Sequence, residues 1–260
     1  MTGRTHVVTG SASGIGAATR RILEARGDRV IGVDLRDADI VCDLSDEAGR
    51  AALPDAVRAL APDGVDALHA VAGSALPNST TVRVNYFGAL ATLTRLRPLL
   101  ARSAAPRAVA VASFAALMDE DPGLADALRA DDEQRATARA GALAGTDAEA
   151  LIYTTTKRVL TEWVRRQAVS DDWARAGIPL NAVAPGIVLT PMTAPLMATP
   201  EAHAALLEQV PSPLGGAAEP DSVAHLLVWL TSPENRHVTG QVIFSDSGAE
   251  ATVRGPKLFG

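Results

Sequence analysis

The chain has 260 residues with a formal net charge of −6, 47% hydrophobic and 21% charged residues. That is ordinary globular composition. It offers no cationic face for nucleic-acid phosphates and no apolar run of about 18 residues to cross a bilayer.

Short β-like runs alternate with amphipathic helices. The pattern predicts a strand at 5–9, a helix at 14–26, strands at 29–34 and 40–42, and a helix at 47–60. A strand at 65–71, a largely helical stretch at 78–101 and a strand at 107–112 follow. A long helix at 151–176, a strand at 178–184, a helix at 221–231 and a last strand at 241–245 complete the series. The strands are rich in Val, Ala and Ile without polar alternation, as expected of parallel strands buried on both faces. The expected fold is α/β, a doubly wound Rossmann-type parallel sheet flanked by helices, in a single catalytic domain over 1–260. One segment breaks the rhythm. Residues 116–150, rich in Ala, Arg, Asp and Glu, read as a small helical insertion of one or two helices outside the sheet, with Asp121-Pro122 as a helix start.

Between the first strand and first helix lies Thr9-Gly10-Ser11-Ala12-Ser13-Gly14-Ile15-Gly16. Small residues there permit a tight turn, close approach to a pyrophosphate and contact of helix with strand. The helix N-terminus offers unpaired N–H groups and a positive dipole to phosphates. Asp34 closes the second strand, where a carboxylate accepts hydrogen bonds from ribose hydroxyls and repels a 2′-phosphate; Leu35 follows it, with Arg36 one position further. This favours NAD over NADP. Asp43-Leu44 is placed either to reach an adenine amino group or to cap the helix beginning near Ser45. Ala72-Gly73 ends the fourth strand, where backbone without a bulky side chain faces a cofactor.

Tyr153-Thr154-Thr155-Thr156-Lys157 sets a phenol and an amine one turn apart on a helix face, in a chain with only two tyrosines and two lysines. A cation beside a phenol lowers its pKa; together with a positive nicotinamide ring it could bring Tyr153 toward neutrality for proton exchange with a ketone or alcohol. Ser113 ends the fifth strand, either to hold a substrate oxygen or as a turn residue. Asn85, within Val84-Asn85-Tyr86-Phe87-Gly88, either holds a water that relays protons to Lys157 or braces two helices.

From Val7 to about Gly248, these pieces in this order resemble the short-chain dehydrogenase/reductase family, most closely its bacterial 3α-hydroxysteroid dehydrogenase/carbonyl reductase group. The resemblance implies a catalytic tetrad of Asn85, Ser113, Tyr153 and Lys157. It also implies a cofactor site of Gly10, Ser13, Gly14, Ile15, Gly16, Asp34, Leu35, Asp43, Leu44, Ala72, Gly73, Tyr153 and Lys157. Pro185, Gly186, Ile187 or Val188, and Thr190 would meet the nicotinamide end. Two departures stand out: the fourth strand ends Val-Ala-Gly, not the commoner Asn-Ala-Gly, and forty residues separate Ser113 from Tyr153. The subgroup implies an NAD-dependent secondary-alcohol/ketone oxidoreductase acting on a bulky apolar substrate such as a hydroxysteroid or aromatic carbonyl. The alternatives are a coniferyl-alcohol-type dehydrogenase, a non-catalytic NAD(H)-sensing regulator, and an interaction protein docking through the insertion.

His6 and His69 read as satisfied structural histidines in core strands. His203, His225 and His237 lack metal-ligand spacing, so no metal is expected. Trp163, Trp173 and Trp229 read as core or interface residues. Residues 190–210 read as a mobile apolar lid over substrate. The helix at 221–231 and the last strand are expected to form a homodimer, with a homotetramer possible. The single cysteine, Cys42, excludes an intrachain disulfide and reads as an inert core residue. With no leader segment visible, a reducing, cytoplasmic setting is expected.

Overall fold

The computed structural model describes residues 3–257. Seven parallel strands form one sheet in the order β3-β2-β1-β4-β5-β6-β7. They are β1 (Thr5–Thr9), β2 (Arg29–Asp34), β3 (Ile40–Val41), β4 (Ala67–Ala70), β5 (Arg107–Val111), β6 (Leu180–Pro185) and β7 (Val242–Ser245). Every residue of β4, β5 and β6 is buried, which explains the absence of polar alternation in their sequences. The strand order reverses between β1 and β4, so a crevice opens there at the carboxyl edge, the usual ligand position of such sheets.

On one face, α1 (Gly14–Ala25) packs on the later helix Pro220–Leu230; Ala18, Ile22 and Leu23 share a core with Val8, Val30, Ala224 and Val228. The other face carries α2 (Glu47–Leu60), α3 (Ser79–Val82), α4 (Ala89–Leu100), and, beyond the insertion, a long helix at Ala150–Gln167. Residues 114–149 hold two helices, α5 (Pro122–Arg129) and α6 (Glu133–Leu143), before that long helix, α7. Asp121 caps α5 by accepting from Leu124 N at 2.7 Å, with Pro122 in the first turn, so the sequence start signal is realised. The insertion packs on α7 and not directly on the sheet. Thr154 donates to Asp119 O at 2.6 Å, and Asp121 N donates to Thr155 Oγ1 at 2.9 Å. Leu124, Ala125, Leu128, Ala136 and Ala140 are buried in the same core as α7. The last elements are α8 (Pro200–Gln209), α9 (Pro220–Leu230) and α10 (Ala249–Arg254).

Three expectations change. The helix expected over 151–176 stops at Gln167; Asp171–Arg175 forms a separate π-type turn that folds back. Extended backbone at Ser170 breaks the helix, and buried Trp173 meets Trp163 edge-to-face, ring centroids 6.5 Å apart. His6 and His69 are only half satisfied. His6 Nδ1 and His69 Nε2 share one hydrogen bond of 3.0 Å, while the other nitrogen of each ring is buried without a hydrogen-bond partner. Burial holds both imidazoles neutral, that of His6 with a pKa pushed down to about 3. Cys42 is half-buried at the edge of the core, and burial pushes its thiol pKa up. Trp229, by contrast with the other two tryptophans, is 44% exposed. Among the described residues no helix is long and apolar enough to cross a membrane.

Candidate active site

The glycine loop follows from steric necessity. Gly10 has φ +68° and Gly14 φ +50°, and a Cβ on Gly16 would stand 2.0 Å from Gly10 O. Ser13 is the N-cap residue of α1, yet its hydroxyl caps nothing, and the first turn holds no acidic residue. The N-terminal amides are therefore uncompensated. Asp34 faces this loop: its carboxylate accepts from Ala12 N at 2.9 Å and from Leu35 N at 2.7 Å. Leu35 is exposed and Leu44 is buried. Asp43 accepts from Ser45 N at 2.8 Å, a local turn one step before the N-cap of α2, which is Asp46. The helix-cap reading of Asp43 is therefore corrected: the residue closes a turn, and the cap position of α2 falls to Asp46.

Thr9 and Gly73 shape the mouth of the crevice. Thr9 Oγ1 accepts from Val71 N and Ala72 N at 3.0 and 3.1 Å, fixing the end of β4. A Cβ on Gly73 would lie 3.4 Å from Asn85 Oδ1 and 3.7 Å from both Lys157 Nζ and Met192 Cε. Three sequence-distant groups thus converge on one bare backbone position. Across the crevice, a Cβ on Gly14 would meet Thr190 Cγ2 at 3.1 Å. Pro185 ends β6, and Gly186 lies so close to Asp246 that a Cβ would stand 2.9 Å from its Cα. Ile187 and Val188 are buried, with Val188 bridged to Ala218. Thr190 N donates to Thr193 Oγ1 at 3.1 Å, and Thr193 Oγ1 donates to Val188 O.

Asn85 sits in a π-helical turn, Arg83–Gly88, at the head of α4. The wider turn places its amide against the backbone of Ser74: Oδ1 accepts from Ser74 N at 2.8 Å and Nδ2 donates to Ser74 O at 2.9 Å. Nδ2 also reaches Thr156 Oγ1 at 3.3 Å. Asn85 therefore braces α7 against the segment after β4.

Ser113 heads the 3-10 turn Phe114–Leu117, its Oγ accepting from Ala115 N at 3.1 Å. That is the contact of its turn reading; the same hydroxyl also lies close enough to the Tyr153 phenol to pull that group's pKa down. Lys157 is buried, only 3% exposed; Nζ donates to Val111 O at 2.9 Å and stands 5.8 Å from the Tyr153 ring centroid. Desolvation pushes the amine pKa down to about 8. The phenol behaves otherwise than the spacing suggested. Burial raises the Tyr153 pKa, and the nearby Ser113 hydroxyl only partly offsets it. At 5.8 Å, a lysine whose own charge is disfavoured does not outweigh desolvation.

Sequence reasoning missed Ser74, Thr156 and Thr193, whose contacts are long-range or loop-internal. The one available signal was the polar run Thr154-Thr155-Thr156 on a helix that otherwise buries Ile152, Val159 and Leu160. The set of uncapped amides, bare Gly73 and the carboxylate of Asp34 fits a dinucleotide.

A family model described as enoyl-(acyl carrier protein) reductase matches residues 136–250. The 3-alpha-hydroxysteroid dehydrogenase/carbonyl reductase of Comamonas testosteroni is 37% identical over 95% of this chain and 97% of its own length. The cis-4-hydroxycyclohexanecarboxylate dehydrogenase of Sinomonas cyclohexanicum is 32% identical over 95% of this chain and 97% of its own. The crystal structure of the 3-alpha-hydroxysteroid dehydrogenase from Pseudomonas sp. B-0831, complexed with NADH, superposes with a TM-score of 0.87 at 37% identity, covering 98% of this chain and 100% of that one. The chain belongs to the short-chain dehydrogenase/reductase family and is an oxidoreductase.

Proposed function

We propose that the chain is an NAD-dependent enzyme interconverting a secondary alcohol and its ketone, with a bulky apolar substrate such as a hydroxysteroid or aromatic carbonyl. The observation that carries this is the convergence of Tyr153, Ser113, Lys157 and Gly73 beside the glycine loop. Bound NAD supplies the hydride acceptor. Asp34 is the ribose-binding carboxylate that disfavours a 2′-phosphate. Gly10, Gly14, Gly16, Ser13 and Ile15 hold the pyrophosphate, Leu35, Asp43 and Leu44 flank the adenine, and Ala72, Gly73, Pro185, Gly186, Val188 and Thr190 line the nicotinamide side.

Tyr153 takes the alcohol proton in oxidation and returns it to the ketone oxygen in reduction. Burial holds its phenol protonated, as a proton donor for ketone reduction must be. Ser113 orients the substrate oxygen and steadies the phenolate. Lys157, buried on the phenol's own helix, holds the nicotinamide ribose and adds positive potential. Asn85 keeps α7 in register with the segment at Ser74. Leu189, Met192 and Leu196 are all exposed and apolar, with Met192 beside Gly73, and they support both the lid at 190–210 and a bulky apolar substrate. The names of the relatives from Comamonas and Pseudomonas point the same way. The chain works as one catalytic unit in the cytoplasm, where Cys42 stays reduced, and as a homodimer through α9 and β7, with Trp229 at the contact; light scattering that finds a monomer or tetramer at low micromolar concentration removes the dimer.

The test is Tyr153→Phe. Turnover with a hydroxysteroid or aromatic alcohol panel should fall about 10³-fold or more, with NADH affinity nearly unchanged. Turnover equal to the parent protein's defeats the reading.

A further inference from the structure

Arg158 follows Lys157 directly, yet it points to a different partner. Its guanidinium grips the end of the short turn that Ser113 begins. Nε donates to Ala116 O at 3.0 Å, and Nη2 donates to Leu117 O at 3.2 Å and Met118 O at 2.7 Å. A helix end leaves such carbonyls without intrahelical donors, and a planar fork with several N–H groups suits three successive ones. We propose that Arg158 is a positioning residue, which fixes the Ser113 hydroxyl against the Tyr153 phenol by locking the 114–118 turn onto the helix that carries Tyr153.

The path is short. The turn Phe114–Leu117 has four residues, closed by Ala116 N to Ser113 O at 3.0 Å and Met118 N to Ala115 O at 3.1 Å. With so few residues between them, displacement at Met118 is passed to Ser113. Charges around the guanidinium keep it in place. Glu120 lies 4.0 Å from Nε, and Arg129 ties Glu120 to Glu162 of α7 at 3.0 and 2.8 Å. This cluster spans the start of the insertion and the Tyr153 helix, so Arg158 also joins the long Ser113–Tyr153 excursion to the chemistry. Arg158 does not act on the phenol directly; burial and the Ser113 hydroxyl are what set it. Loss of Arg158 therefore reaches Tyr153 only through Ser113.

The inference rests on the acid/base reading of Ser113 and Tyr153, and a double-mutant cycle separates the two. The cycle joins R158M with S113A. Labelling tyrosine at Cζ gives two carbon-13 resonances, since the chain has only Tyr86 and Tyr153; Y153F assigns them. In the parent background R158M should cut turnover about 10-fold to 100-fold, a typical cost of misplacing a reacting group. It should also raise the Tyr153 titration midpoint by about half a pH unit. In the S113A background R158M should change turnover less than about twofold and leave the resonance unmoved, because the group it positions is gone. R158K, which keeps a cation with three donors, should recover most of the loss. Should R158M fail to fold, R158Q runs the same cycle. Equal losses in both backgrounds, or lowered stability with the Tyr153 resonance unmoved, overturn the proposal. Unchanged turnover in Y153F would strike the acid/base reading instead, and the resonance arm would still judge Arg158.

Discussion

The α7 wall of the crevice and the segment facing it are built on opposite principles. Along α7, Thr154, Thr155, Thr156 and Lys157 are all buried polar residues, and each has a hydrogen-bond partner outside its own turn. Across the crevice, the turn Ala194–Met197 and helix α8 contain no buried residue at all. Leu189, Met192, Leu196 and Leu214 there present apolar side chains to solvent. Proton transfer needs groups held to fractions of an ångström, whereas admitting a bulky apolar ligand needs a surface free to move. On the proposed function the wall would carry the reaction and its opposite the choice of substrate, so variants of the two should fail in different measurements.

The largest effect is expected on the rigid side. K157M should lower turnover by about 10² to 10⁴-fold. Its stability should not follow. The folded-state amine pKa of about 8 lies below the ordinary 10.5, so the unfolded chain binds this proton more tightly. Keeping the buried charge then costs about 3 kcal/mol at neutral pH, and that cost fades as pH rises from 8 toward 10. Urea unfolding should find K157M at least as stable as the parent at pH ~7, with the parent alone gaining stability across the alkaline window. A parent protein that loses stability there while K157M stays flat would break this account.

A smaller effect is expected where the insertion is anchored. Asp121 caps α5 and accepts two hydrogen bonds from Arg139, at 2.9 and 2.6 Å. D121A should cost about 1 kcal/mol, from the lost N-cap. The Arg139 guanidinium holds this carboxyl below the usual carboxylate range. The folded pKa is depressed, so the contribution is complete above the unfolded value of 3.8 and is lost as pH falls through the folded one. Acid unfolding curves of parent and D121A should therefore converge below that value; curves that stay parallel would deny Asp121 this role.

What the sequence made legible divides along the same line. The glycine spacing, Asp34 at a strand end and the Asp121-Pro122 start are local signals, each tied to one backbone demand, and each stands where it was expected. The pairing of Tyr153 with Lys157 was legible as geometry but not as electrostatics. Spacing reports that a cation is near, while desolvation depends on the whole surrounding wall, and here desolvation prevails at both residues. Asn85 was visible as a buried amide, but its partners Ser74 and Thr156 lie 11 and 71 positions away and no local pattern announces them. Arg158 carried the opposite camouflage: an arginine on a helix reads as a solvated face, and only the fold brings three carbonyls under it. The break after Gln167 was hidden because Trp173 keeps the apolar pattern going while the chain turns back.

The smallest effect belongs to the open side. Met192 and Leu196 are 39% and 50% exposed, so M192S and L196S remove little buried surface, and stability should stay within about 0.5 kcal/mol of the parent. Their apolar surface gains value only once a ligand covers it. A methylene or two lost from such a contact is worth roughly threefold to tenfold in affinity. The Michaelis constant for a bulky substrate should rise by that factor, that for a small secondary alcohol should hardly move, and turnover at saturation should be retained. The size dependence is the informative part. A uniform loss of turnover for large and small substrates alike would mean that these side chains shape the reacting geometry, and the division between a fixed wall and a selecting surface would have to be redrawn with Met192 on the rigid side, where its contact with the Gly73 position already brings it close.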